Sequence, residues 1–213
     1  MKKGYKRLLV FQIIMIILLF LGSFVSSILG NYLKVIYLGI SLILFKCLFG
    51  YEKDRHRYIK SICMELIIYL LIYFILYYLL GVLLSFAKTV NYLHFNGIIK
   101  IILPILLMLI FREIYRYMMV TKSEGSKLLL TTSCIFFIII DLFGTFNDST
   151  FRSPYTTFIY IAITVLPIIS RNVFCTYLTY KCGFKPVLLY VLVVNMYSYF
   201  VPIIPNPNQY HYL

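Results

Sequence analysis

The sequence predicts an all-α integral membrane bundle of about seven transmembrane helices. Three observations predict it. Hydrophobic residues make up 62% of the 213 and charged residues 13%, whereas an ordinary soluble domain carries about 25% charged residues. The apolar residues gather in runs such as 8–29, 62–84 and 128–146. Each is long enough to cross a hydrocarbon core ~30 Å thick as a helix, which takes about 20 residues. Lys and Arg fall mainly in the connectors of one side, as membrane topology requires. The mean hydropathy of +0.92 agrees.

The first run, 8–29, follows Met1-Lys-Lys-Gly-Tyr-Lys-Arg7 and has the outline of a secretory signal. Its apolar stretch of 22 residues exceeds the ~7–15 of a cleavable core. It reads as an uncleaved first span, although Ser23, Ser26 and Ser27 mimic a cleavage region. The second, 33–49, is short, with Lys34 and Lys46 at its ends, where they can snorkel. The third, 62–84, is unbroken. The fourth, 98–111, is interrupted by Lys100 and Pro104. Its helix is expected to continue through Met119, with Arg112 and Arg116 one turn apart at the membrane interface. The fifth, 128–146, contains Asp141. The sixth, 158–174, carries Pro167 and Arg171 where the helix should still be in or near the membrane. The seventh is 187–204. In the terminal segment from Pro202 onward, Pro202, Pro205 and Pro207 forbid a regular helix.

No connector is long enough to hold a core of its own. Residues 1–213 therefore read as one multi-pass membrane domain without a separate catalytic module. With the N-terminus in the cytoplasm, inner segments hold sixteen of the Lys and Arg residues. Outer segments hold only Lys34, Lys88, Lys100 and Arg152. That bias gives an extracytoplasmic C-terminus. The net charge of +13 is spread over connectors and forms no basic stripe for nucleic acid. Anionic lipid headgroups at the cytoplasmic face are its expected partners. All five cysteines map near that reducing face, so free thiols are expected. The gap between Cys175 and Cys182 is not a usual zinc spacing, and no cofactor is expected.

Candidate functional residues are few, because the chain has seven acids and three histidines. Glu65 and Asp141 lie nearest the hydrocarbon, and an ionisable group there is costly enough to suggest function. Glu65, one turn into the third span, is either a headgroup-level partner of Lys60 or Arg57 or a site residue. Asp141 is either a structural partner of Arg152 or Lys100 or a site residue. Arg152 and Arg171 complete the set. The cluster Glu52-Lys-Asp-Arg-His-Arg57 has carboxylates beside a histidine, as acid–base work requires, yet a solvated connector with internal ion pairs explains it. No phosphate loop, dinucleotide fingerprint, HExxH or nucleophile elbow occurs.

Several stretches resemble a known family. They are Gly50-Tyr-Glu-Lys-Asp-Arg-His-Arg-Tyr58, the segment from Ser85-Phe to Gly97-Ile-Ile-Lys-Ile-Ile-Leu-Pro104, and Arg116-Tyr-Met-Met-Val-Thr-Lys122. With them go Ser170-Arg-Asn-Val-Phe-Cys-Thr-Tyr-Leu-Thr-Tyr-Lys-Cys-Gly-Phe-Lys-Pro186, Leu188-Leu-Tyr190 and Pro202-Ile-Ile-Pro-Asn-Pro207. Together they resemble the multi-pass N-terminal region of certain type I signal peptidases of low-GC Gram-positive bacteria. The resemblance implies protein export or precursor processing, with a Ser nucleophile and a Lys base in an extracytoplasmic domain. The Ser-x-Met-x-Pro motif of that domain is absent, and Ser61-Ile-Cys-Met64 does not match it. The chain is therefore expected to be the membrane part alone, non-catalytic by itself, with the export machinery as its partner. Two rivals stay open. One is a small transporter or permease subunit with Pro104, Pro167 and Arg171 at broken helices. The other is a lipid- or glycan-modifying enzyme with Asp141 and Arg152 in an outer cavity.

Overall fold

Uninterrupted Leu, Ile, Phe and Tyr runs satisfy their own backbone only as helices, and the computed structural model is all-α. It describes residues 3–23, 32–51, 59–89, 97–142, 145 and 153–205. Within them are seven helices and two short strands. Helix α1 is Lys3–Ser23, α2 Tyr32–Phe49 and α3 Ile59–Leu84, followed by strand β1, Phe86–Lys88. Helix α4 opens with a π-helical turn at Ile98–Ile102 and continues as Leu103–Lys122; α5 is Lys127–Leu142. Helix α6 runs from Pro154 to Cys182 with a π-helical turn at Ile161–Val165. Helix α7 is Phe184–Phe200, and strand β2 is Ile203–Pro205.

Within the described residues each apolar run is helical, with shifted ends. The fourth continues to Lys122, past the expected extension, because nothing between Pro104 and Gly125 breaks a helix. The seventh stops at Phe200 rather than 204. Pro202 has no N–H to donate, and residues 203–205 pair as a strand instead. The sixth is one continuous helix, although Pro167 sits inside it. A proline ring crowds the carbonyl four residues back. The wider π turn before it, where the Leu166 N–H bonds to the Ile161 carbonyl, relieves that crowding. Helix α4 uses the same device: a π turn, then Leu103-Pro104, with the Leu103 N–H on the Ile98 carbonyl.

Successive helices run in opposite directions. At one end Tyr5 of α1 donates to Glu124, just past α4, at 3.4 Å. There too the Tyr117 ring of α4 meets Phe184 of α7. At the other end the Tyr32 hydroxyl donates to the Ile99 carbonyl at 2.8 Å, and β1 pairs antiparallel with β2, Ala87 opposite Ile204. That strand pair ties the end of α3 to the end of α7. It needs Gly81, because a Cβ there would lie 2.6 Å from the Phe86 ring and 2.8 Å from the Pro205 ring. Among the described residues, Lys6, Arg7, Lys46, Lys60, Lys122, Lys127, Lys181 and Lys185 gather at the first end. Lys88 and Lys100 lie at the second, where α2 begins two residues before Lys34.

Helix α4 is the hub and packs on α2, α5, α6 and α7. Two apolar clusters flank it. One joins Phe11, Leu38, Phe45, Tyr115, Phe136 and Phe137 across α1, α2, α4 and α5. The other joins Leu66, Leu109, Cys175, Val187 and Val191 across α3, α4, α6 and α7. Gln12 of α1 donates to the Ser133 hydroxyl of α5 at 3.0 Å, so that buried amide is satisfied. All five cysteines are free. Among the described residues two helices, Ile59–Leu83 and Pro154–Cys182, are long and apolar enough to cross a membrane.

Candidate functional site

Helix α4 carries Arg112, Glu113 and Arg116, spaced to share one helix face. All three are buried, at 2%, 1% and 1% exposure. Glu113 bridges its neighbours: Arg112 Nε donates to Oε1 and Arg116 Nε to Oε2, both at 2.9 Å. From α5, Asp141 accepts from Arg112 Nη1 at 2.9 Å through Oδ1. From α6, Arg171 Nη2 and Asn172 Nδ2 both donate to Asp141 Oδ2, at 2.8 and 2.9 Å. Arg116 reaches the same helix, donating to Asn172 Oδ1 at 2.7 Å and Thr176 Oγ1 at 3.0 Å. Helix α7 closes the network with Asn195, whose Oδ1 accepts from Arg171 Nη1 at 3.0 Å.

Four helices thus meet at one buried polar knot. Such groups are costly to bury, and the cost falls when each charge is paired and hydrogen-bonded. Arg116 gains more from the Phe137 ring, 4.4 Å from its guanidinium carbon. The balance is nevertheless uneven. Among the described residues, Arg112, Arg116 and Arg171 oppose only Glu113 and Asp141, which leaves one positive charge in excess. Arg112 Nη2 and Arg171 Nε are buried without a hydrogen-bond partner. Fixed, desolvated guanidinium groups with spare donors can hold an anion.

Beside the network is a cavity of about 650 Å³ between α3, α6 and α7. Arg171 belongs to both. Thr164 from the π turn, Tyr69 and Tyr73 from α3, and Tyr190 from α7 are among the other residues of its wall. The Leu-Pro device of α6 therefore shapes this cavity directly.

Of the four residues singled out from sequence, Asp141 and Arg171 are joined in the network. Asp141 pairs with Arg112 and Arg171, not Lys100, which is exposed on α4. Glu65 lies elsewhere, exposed on α3 within electrostatic range of the Cys182 thiol. Arg152 and the cluster at 52–57 lie outside the described residues. Arg112 and Arg116, expected at the membrane interface, are interior. Glu113, Asn172 and Asn195 carry the network and were not singled out. The signal for Glu113 was present: a carboxylate flanked by two arginines in an unbroken apolar helix must find partners inside. Among the described residues no group of three His, Cys, Asp or Glu is arranged to hold a metal ion. The chain matches no family model, no curated protein and no solved structure.

Proposed function

We propose that the chain is a seven-span integral membrane protein that holds a ligand or partner inside the bilayer. In this reading it serves protein export or precursor processing and makes or breaks no bond by itself. The observation that carries the reading is the buried charge network on α4, α5 and α6; on the seven-span reading helix length gives its depth. At ~1.5 Å per residue, Arg112 precedes the end of α4 at Lys122 by about 15 Å. By the same measure Arg171 precedes Cys182 by about 16 Å, and Asp141 lies about 21 Å beyond Lys127. On this reading all three fall inside a ~30 Å hydrocarbon core, where charge is rare and marks function.

Supporting facts come from the outside of the bundle. In the two long apolar helices only 17% and 11% of the tested 18-residue stretch is buried inside the protein, which supports a lipid-facing role over that of a buried core helix. Such exposed apolar area suits lipid contact. Counting Arg112, Arg116 and Arg171 as interior, the Lys and Arg split becomes thirteen against four. The bias still favours a cytoplasmic basic end, with the N-terminus inside and the C-terminus outside. The export role draws on the resemblance to signal-peptidase membrane regions. Two of the resembling stretches, 116–122 and 170–186, meet through Arg116, Asn172 and Thr176.

The test has two parts. The chain should resist alkaline carbonate extraction, and release as a soluble protein would defeat the membrane reading. Deleting the gene should slow maturation of secreted precursors, and Asp141→Asn should reproduce the delay. Unchanged maturation would defeat the export role. Purified chain should not cleave a precursor, and turnover abolished by Ser85→Ala would expose an overlooked active site.

A transporter subunit is the second reading, favoured by the cavity and by the two π turns. Irregular backbone at membrane depth is tolerated where it lines a path. Solute flux in proteoliposomes together with normal precursor maturation would favour it.

A further inference from the structure

The geometry points to the α3–α6–α7 cavity as a binding site for an anionic amphiphile, a phosphate or carboxylate head on a hydrocarbon chain, with the head held by Arg171. This rests on the reading that the flank of α3 and α6 faces lipid.

Three observations converge on it. The first is charge. Among the described residues three guanidinium groups face two carboxylates, and one bound anion would bring the site to neutrality. The second is donor supply. Arg171 spends Nη1 on Asn195 and Nη2 on Asp141, while its Nε–H is buried without a partner. Arg171 is also the one network residue in the cavity wall, and its side chain keeps 26% exposure against 3% for Arg112 and 1% for Arg116. It is thus the cation an incoming head can reach, already fixed by two hydrogen bonds. A preorganised guanidinium binds phosphate or carboxylate with little further ordering.

The third observation is the shape and lining of the space. At about 650 Å³ it falls within the ~300–1,000 Å³ of small-ligand sites. Apart from Arg171 the wall is mainly aromatic and aliphatic. Rim residues Tyr69 and Ile163 are 53% and 61% exposed on the apolar outer face. A chain can lie along that rim while the head turns inward. A small water-borne anion would have no use for such an apolar rim, so an amphiphile fits better than free phosphate. The two heads share their chemistry, and the experiment separates them.

The experiment uses the full chain in neutral detergent, with binding read by native mass spectrometry and thermal shift. The probes are phosphatidate, oleate, phosphatidylcholine and inorganic phosphate. Phosphatidate or oleate should bind at least about tenfold more tightly than phosphatidylcholine, as a charge-assisted hydrogen bond suggests. Whichever of the two binds more tightly identifies the head. Inorganic phosphate should compete only weakly. Arg171→Gln should abolish the preference and Arg171→Lys should restore part of it. Tyr73→Ala changes the cavity wall and leaves every network residue in place, so it should weaken binding at an unchanged melting temperature. Equal binding of zwitterionic and anionic lipid would overturn the proposal. So would an affinity that survives both Arg171→Gln and Tyr73→Ala but falls with Lys6→Gln and Lys181→Gln, which would move binding to the basic end. Carbonate resistance without anion preference sinks this proposal alone, whereas carbonate release sinks the membrane reading beneath it.

Discussion

Asp141 illustrates how much one carboxylate can hold together. Its two oxygens join Arg112 of α4 to Arg171 and Asn172 of α6. Asp141→Asn keeps the shape but leaves three arginines against Glu113. Breaking a buried ion network at one partner costs about 3–5 kcal/mol, and a loss of that order is expected in detergent melting. The double variant Arg112→Met with Asp141→Leu returns the excess to a single charge and should be milder than Asp141→Asn alone. A double variant that melts lower would show that the arginines do not depend on this carboxylate. Thiol reactivity offers a second check at the same scale. Cys47 is exposed, and Cys175 is fully buried in the apolar cluster between α6 and α7. Maleimide should modify Cys47 readily and reach Cys175 only after unfolding. Early labelling of Cys175 would mean that the second cluster opens. At this scale the sequence was least legible. Only the bridge from Glu113 to Arg112 and Arg116 is local; the partners on other helices lie 24 to 60 positions away, and no local pattern encodes them.

At the scale of the element, the helices were readily legible, because a long apolar run allows the backbone no other way to satisfy itself. Their ends were less so. Helix α6 was expected to be 158–174, yet it extends on both sides. Ser153 caps the early start by accepting from the Thr156 N–H at 3.2 Å. Gly183, at φ +82°, ends it and turns directly into α7. Neither π turn was foreseen, although each precedes a Leu-Pro pair. The strand pair was also hidden, since three residues on each side leave little pattern. Gly81 is its sensitive point. Gly81→Val should push Phe86 and Pro205 apart at a cost of about 1–3 kcal/mol. Faster amide exchange at Ala87 and Thr89, with little change in α5, would show it. Equal exchange throughout would mean that the strands do not depend on this close approach.

For the whole molecule, the positive-inside count proposes a direction that the packing leaves to experiment. The alternating helices carry their Lys and Arg at one end, and the interior withdraws three arginines from that count. Reporter fusions at Lys122 and Leu213 should therefore register opposite sides of the membrane. Signals from the same side would remove the seven-span topology. The candidate site was only half legible at this scale. Asp141 and Arg171 could be picked out one by one as costly charges. That they form one knot depends on α4 lying between α5 and α6, which follows from packing rather than composition.

The position of α4 at the hub has a consequence for how the protein is made. Its three charged residues emerge from the ribosome before Asp141, Asn172 and Asn195 have been synthesised. On the membrane reading, a lone charge at the bilayer centre costs about 2.5–3.5 kcal/mol during insertion. Helix α4 is therefore a poor candidate to leave the translocon alone. It should wait beside the channel until α5 and α6 arrive, and then enter lipid with them as a group. The network would thus set the order of assembly as well as the finished architecture. Nascent chains halted before Asp141 should remain crosslinkable to the translocon, whereas chains extended past Asn195 should be released.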